Sequence, residues 1–188
     1  MIYITSDLHL GHNKELVYTK RGFKSVDEMN EAIIKNINKT VKSDDDLYIL
    51  GDLVLGGPEN EYAKILEQIK CKVHIIRGNH DTDKRMKMYA TLNNVVEICD
   101  AKYFRYGKYH FFMTHYPAIT NVLSRKDKLC QYVINLFGHT HQTTNLYENN
   151  VAMYHVGVDS HNCKPILLDT IIEELEDHYE YLRGVIYE

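Results

Sequence analysis

Five times along this chain a short apolar, β-branched or aromatic run stops at a cluster of Asp, His, Asn and Gly. The clusters are Ser6-Asp7-Leu8-His9, Gly51-Asp52, Gly78-Asn79-His80-Asp81, Thr114-His115-Tyr116-Pro117 and Gly138-His139-Thr140-His141. Runs such as Ile2 to Ser6, Leu47 to Leu50, Val73 to Ile76 and Val133 to Phe137 read as strands buried on both faces. In open α/β sheets the loops at the carboxyl ends of strands converge on one crevice, so polar residues far apart in the chain meet there.

Between the first two runs, Ser25-Val26-Asp27-Glu28 carries the capping-box pattern. Val26, Met29, Ile33, Ile37 and Val41 follow at helical spacing and predict a helix over 26–42. Gly56-Gly57-Pro58 turns the chain into a second helix with Ala63, Leu66 and Ile69 as its stripe, and 83–92 reads as a third. Strand and helix thus alternate in the first half, which implies parallel pairing. From Val95 onward the pattern is β-rich, with runs at 95–99, 103–106 and 109–114 and a hairpin turn at Gly107-Lys108, so the second half is expected to be antiparallel. Ala152 to Val158 and Pro165 to Leu168 add strands, and Ile171 to Leu182 reads as an acidic helix with Ile172, Leu175 and Tyr179 on one face. The expected sum is an α/β fold of two sheets packed face to face with helices outside. With 188 residues and 44% apolar content, the chain is long enough for one core and short for two, so one domain over 1–188 is expected.

A net charge of -4 argues against a general nucleic-acid binder, which needs a basic surface to displace counterions. No apolar run approaches the roughly 18 residues of a membrane span, and Met1-Ile2-Tyr3-Ile4-Thr5 lacks the basic flank of a signal peptide; the expected location is the cytoplasm. Cys71, Cys99, Cys130 and Cys163 form no Cys-x-x-Cys pair and read as buried reduced thiols. Eleven histidines is a high count and needs an explanation beyond surface polarity.

Ligand chemistry supplies one. In Asp7-Leu8-His9, residues two apart on an extended segment point the same way, so a carboxylate and an imidazole can share an ion. Asp52 follows a glycine that permits a tight turn, and a carboxylate has two oxygens with which to bridge two cations; Asp52 is the candidate bridge. Asn79 offers a neutral carbonyl oxygen, which holds a cation without cancelling its charge. His80 need not bind metal: as a protonated imidazole it could give a proton to a leaving oxygen, with Asp81 a candidate to orient it. His115, His139 and His141 complete a set of two Asp, one Asn and four His. That mixture suits Mn, Fe, Zn, Ni or Co and is too nitrogen-rich for Mg or Ca. Two divalent ions outweigh Asp7, Asp52 and a bridging hydroxide in charge, so the site attracts a phosphate ester, with water as the nucleophile.

Asp-x-His, Gly-Asp, Gly-Asn-His-Asp, a lone His and Gly-His-x-His, in that order, resemble the calcineurin-like metallophosphoesterases over residues 1 to about 168. Ser6 to His12, reading Ser-Asp-Leu-His-Leu-Gly-His, is similar to the opening of the small bacterial and phage members. The resemblance implies a four-layer αββα sandwich of two mixed sheets around a dinuclear centre, Mn being favoured. It implies one metal on Asp7, His9, Asp52 and His141, a second on Asp52, Asn79, His115 and His139, and His80 as the proton donor. The implied activity is metal-dependent hydrolysis of small phosphate esters, phosphodiesters favoured, by a metal-bridging hydroxide. The alternatives are a phosphomonoesterase, a nuclease needing a basic groove, and a non-catalytic scaffold of the same fold. Intact motifs weigh against the scaffold.

Outside the motifs, His12 reads as a cleft residue or a surface one. Arg21 is a candidate phosphate clamp against an ion-paired reading, and Arg77 a support for the third motif. His74, His110, His155, His161 and His178 are assigned structural roles, and Asp44-Asp45-Asp46 a solvated turn.

Overall fold

Alternating strand and helix in the N-terminal half produces the parallel sheet that pattern requires. A computed structural model describes residues 1–118, 120, 128–147 and 150–186, apart from the side chains of 59, 60 and 184–186. β1 (Ile2–Thr5), β2 (Asp46–Leu50), β3 (Lys72–Ile76) and β4 (Val95–Cys99) lie side by side in chain order and pair in parallel. A two-residue strand from the C-terminal part, β10 (Ile166–Leu167), pairs antiparallel to the free edge of β1. The second sheet has the order β5-β6-β7-β9-β8, from β5 (Ala101–Tyr106), β6 (Tyr109–Thr114), β7 (Val133–Phe137), β8 (Leu146–Tyr147) and β9 (Asn150–His155).

The expectation of an antiparallel second half is corrected here. β5 with β6 and β8 with β9 are antiparallel, but β6 with β7 and β7 with β9 are parallel. A parallel neighbour needs a crossover of about a dozen residues, not necessarily a helix, and the segments between these strands are long enough. The absence of a helical stripe therefore misled the reading. The β5–β6 hairpin is as expected, with Tyr106 opposite Tyr109 and a positive φ of 56° at Gly107, the first turn residue.

Alternation along β2 and β3 sends Leu47, Ile49, Val73 and Ile75 to the outer face of the first sheet, where they join Met29, Ile33 and Ile37 of α2 (Val26–Thr40). The Ser25 hydroxyl caps α2 by accepting the Glu28 N–H at 3.1 Å, and the Glu28 carboxylate accepts the Lys24 N–H at 2.7 Å. Residues of α3 (Glu59–Leu66) and α4 (Asp83–Tyr89) extend the same cluster. The six-residue α1 (Glu15–Lys20) was not legible in the sequence: it buries no residue and has no side-chain cap. Ile4, Leu50 and Ile76 face the other way and pack with Phe111, Met113, Ile134, Leu136 and Tyr154 of the second sheet. α5 (Leu168–Ile186) runs against β1, β9 and β10 and adds Ile171, Leu175 and Tyr179 to this shared core. The α/β sandwich of two mixed sheets read from the sequence is thus the fold observed, with its helices unevenly distributed.

Several smaller expectations change. The 44–46 acidic run is a solvated turn only at Asp44: Asp45 is buried, accepting the terminal ammonium of Met1 at 2.6 Å, and Asp46 opens β2 and meets His74 Nε2 at 2.8 Å. His74 has the structural role assigned to it, its other ring nitrogen lying 2.9 Å from Glu97. The cysteines are free, but only Cys71 and Cys163 are buried, and burial pushes the Cys71 thiol up to about 11. Among the described residues no helix is long and apolar enough to cross a membrane.

Phe111 is fully buried between the sheets, whereas Val96 is exposed on β4. Phe111→Ala is expected to cost about 3–5 kcal/mol through lost burial and a residual cavity. Val96→Ala should stay within about 0.5 kcal/mol. Urea unfolding of both variants checks the contrast.

Candidate metal centre

Five of the seven motif residues singled out above hold a backbone conformation that side chains rarely adopt. Asp7, His9, Asp52, His139 and His141 have φ of 58°, 49°, 55°, 65° and 49°. A non-glycine residue in this left-handed region costs of order 1–3 kcal/mol and persists only where its surroundings over-determine it. They do so here. Beyond the ends of β1 and β2 the two loops remain tied, Asp7 N–H to Gly51 O at 3.1 Å, His9 N–H to Asp52 O at 3.0 Å and Leu10 N–H to Leu53 O at 3.0 Å. From the second sheet, the His139 N–H donates to both oxygens of Asp7 at 3.2 and 3.0 Å. Glycine is required where these loops touch: a Cβ on Gly78 would overlap Asp52 Oδ1, and one on Gly138 would overlap Asp7 Oδ2.

The result is that all seven side chains converge. His9 Nε2 lies 3.1 Å from His141 Nε2, 3.8 Å from Asp7 Oδ1 and 3.7 Å from Asp52 Oδ2. On the other side, Asn79 Oδ1 is 2.8 Å from His115 Nε2 and 2.9 Å from His139 Nδ1, and His115 Nε2 is 3.4 Å from Asp52 Oδ2. Asp52 Oδ2 therefore faces both groups, while its Oδ1 accepts the His80 N–H at 2.8 Å. Within this cluster the ligand atoms of Asp7, His9 and His141, and those of Asp7, Asp52 and His115, lie within 4.8 Å of one another, close enough to hold a metal ion.

The donor chemistry fits cations. His115 Nδ1 sits 2.8 Å from Leu50 O, a group that can only accept, so Nδ1 carries the hydrogen. In the neutral ring, the Nε2 lone pair then points at the Asn79 and Asp52 oxygens, three acceptors with no proton between them. A bound cation satisfies that arrangement. His9 is held neutral, the form of imidazole that binds metal: burial, then the neighbouring His141, pushes its pKa down to about 3. Burial also raises the pKa of Asp7. With the His115 ring doubly protonated, its Nε2–H and the His80 N–H outweigh the burial that would raise Asp52 and hold that carboxyl below the usual range.

The calcineurin-like phosphoesterase superfamily domain matches residues 1–162. The chain belongs to that family. An uncharacterized protein of Methanocaldococcus jannaschii, MJ1445, is 30% identical to this phosphoesterase over 185 residues, covering 93% of this chain and 91% of its own. The gene 66 protein of Mycobacterium phage L5 is 26% identical over 180 residues, covering 84% of this chain and 86% of its own. Among solved structures, the protein of unknown function AQ665 from Aquifex aeolicus superposes with a TM-score of 0.65 at 24% identity, covering 92% of this chain and 98% of that one. That likeness concerns the fold.

Two carboxylates behind the phosphoesterase centre do work the motifs did not reveal. Asp159 accepts from His141 Nδ1 at 2.7 Å and takes a two-pronged contact from Arg21, Nε to Oδ1 at 2.9 Å and Nη2 to Oδ2 at 3.1 Å. Arg21 also donates to the carbonyls of Asp7 at 2.9 Å and Leu8 at 3.0 Å. With only 3% of its side chain exposed, Arg21 is not free to clamp a phosphate, and the ion-paired reading holds. Asp159 was not singled out in the sequence, although Gly157-Val158-Asp159 places a Gly and an Asp after a strand much as Gly51-Asp52 does, one residue further apart. Asp81 does not orient His80. It is buried and accepts the N–H groups of Asp52 at 2.7 Å, Gly78 at 2.9 Å and Leu53 at 3.3 Å, with the Tyr89 hydroxyl at 3.0 Å. Arg77 supports the third motif as expected, through Nε to Asp81 O at 2.9 Å. His12 lines the cleft, its ring 5.7 Å from that of His9.

Asp159 fixes which nitrogen of His141 faces the centre. Asp159→Ala is expected to weaken uptake of divalent transition metal by about 10–100-fold with the fold intact. Equilibrium dialysis with elemental analysis, alongside circular dichroism, measures this; unchanged metal affinity would rule the role out.

Proposed function

We propose that this phosphoesterase hydrolyses small phosphodiesters with two divalent transition-metal ions, manganese favoured, in the cytoplasm. One ion is held by Asp7, His9, Asp52 and His141, and the other by Asp52, Asn79, His115 and His139. The observation that carries this reading is Asp52 Oδ2, which lies 3.7 Å from His9 Nε2 and 3.4 Å from His115 Nε2 and so belongs to both ligand groups at once. A pair of such ions, when bound, lowers the pKa of a shared water and neutralises the phosphoryl oxygens during in-line attack.

The protein's own contribution is positioning. Asn79 adds an oxygen without adding negative charge, which keeps the centre attractive to an anionic ester. His80 is pinned by its backbone, the N–H on Asp52 Oδ1 at 2.8 Å and the carbonyl accepting Arg85 Nη1 at 2.5 Å. Its ring is 41% exposed, with Nε2 3.9 Å from Asp52 Oδ2, so it borders the centre and remains open to substrate. That geometry supports His80 as the donor of the proton that the departing oxygen takes up. A diester is favoured because cavities of about 640 and 470 Å³ adjoin the centre, one lined by His9, His80 and His141 and the other by Asn79 and His115. Four free cysteines support a reducing compartment.

Manganese-loaded protein is expected to hydrolyse bis(4-nitrophenyl) phosphate, and chelation should abolish the activity. His80→Ala should lower kcat by about 10²–10⁴-fold with metal content unchanged. Asp52→Asn should lose both activity and bound metal. Steady-state kinetics with parallel metal analysis decides the matter; a metal-replete protein inert toward every phosphate ester would overturn the reading.

A further inference from the structure

We infer that the larger cleft is the subsite for the leaving alcohol, and that it selects phosphodiesters whose leaving group is a ring-sized apolar body. This rests on the phosphodiesterase reading above and extends it. The cleft, about 640 Å³, is lined by His9, His80 and His141 of the centre, by Leu16, Val17 and Leu55, and by polar groups that include Lys20 and Asn162. A cleft of this size that combines an apolar patch with convergent polar groups suits a small organic ligand.

Three observations point to the leaving arm. The proton donor sits in this cleft, and the proton must reach the oxygen that departs, so the alcohol carrying that oxygen lies on the His80 side. Second, α1 leans on the core through the half-buried Val17 and Tyr18, yet it presents Leu16, 66% exposed, at the cleft. A leucine so placed gains by being covered, and an apolar ligand in the cleft would cover it. Third, the other cavity is of a different character, with Arg77, Asp100, Thr114 and Tyr116 beside Asn79 and His115, and is left for the retained arm.

A water oxygen forms the new bond to phosphorus, and the bond from phosphorus to the leaving oxygen breaks with its electron pair staying on that oxygen. That oxygen takes a proton from His80 Nε2. The water's own proton passes to solvent and His80 is reprotonated, so one water is consumed and a phosphomonoester and an alcohol are released.

The test uses manganese-loaded protein and methyl aryl phosphodiesters whose phenols have similar acidity, methyl phenyl phosphate and methyl 4-tert-butylphenyl phosphate. The wild type is expected to favour the larger leaving group by about tenfold in kcat/KM. Leu16→Glu, at an exposed position, should erase that preference while leaving metal content unchanged and leaving the ratio between methyl phenyl and cyclohexyl phenyl phosphate, which differ in the retained arm, unaltered. A preference that survives Leu16→Glu, or a change confined to the retained-arm ratio, would overturn the inference. Calorimetric binding of 4-tert-butylphenol to the metal-loaded protein separates the two readings. Binding that Leu16→Glu weakens about tenfold, in a protein that turns over no diester, would uphold the cleft as an apolar subsite and sink the phosphodiesterase reading; no binding would sink the subsite itself.

Discussion

The structure depends on a backbone forced into the left-handed region at five polar residues. Asp7, His9, Asp52, His139 and His141 would each relax toward an ordinary backbone conformation if their loops were free, and the side chains would then diverge. They are not free, because the loops beyond β1 and β2 continue to hydrogen-bond to each other and the His139 N–H closes onto Asp7 across the two sheets. The sandwich core is therefore tied directly to the site. Buried apolar packing of Ile4, Leu50 and Ile76 against Phe111, Met113 and Leu136 holds the sheets in register, and that register sets where the strained loops meet.

Two carboxylates, the buried Asp81 and the half-buried Asp159, convert this scaffold into a rigid site. Asp81 gathers three backbone N–H groups from the loops after β2 and β3, so the strand ends carrying Asp52 and Asn79 move together. Asp159, gripped by Arg21, links the carbonyls of Asp7 and Leu8 to the ring of His141. Burial opposes ionisation of Asp159, but His141 and Arg21 hold its carboxyl well below the usual carboxylate range, so it stays a strong acceptor. Neither residue need touch substrate; each removes freedom from groups that face it.

Much of this was legible in the residue order, and the failures have physical causes. The helix at 26–40 announced itself through a cap and an apolar stripe, because a surface helix on a sheet has no other way to bury one face. α1 carries no such signature, since it packs little and opens toward a cleft. Parallel pairing in the second sheet left no mark either, because the sequence between its strands carries no helical period. Asp81 was weighed only as a partner for the histidine beside it in sequence. Its actual partners are backbone groups near residue 52, and no local pattern encodes a bond spanning 28 or 29 positions.

The order of strand-ending motifs alone was enough to name the family and the sandwich and to single out the polar side chains that converge, because buried strands must be apolar and the residues that end them are free to be Asp, Asn and His. Folding decided which of those groups face one another. Whether Arg21 grips an anion from solvent or Asp159, whether Asp52 stands between two groups of polar side chains, and on which side of His80 a cleft opens are consequences of distance in space. Such distances arise from sheet register and loop strain, which are collective properties of the packed chain and have no address in any single stretch of it.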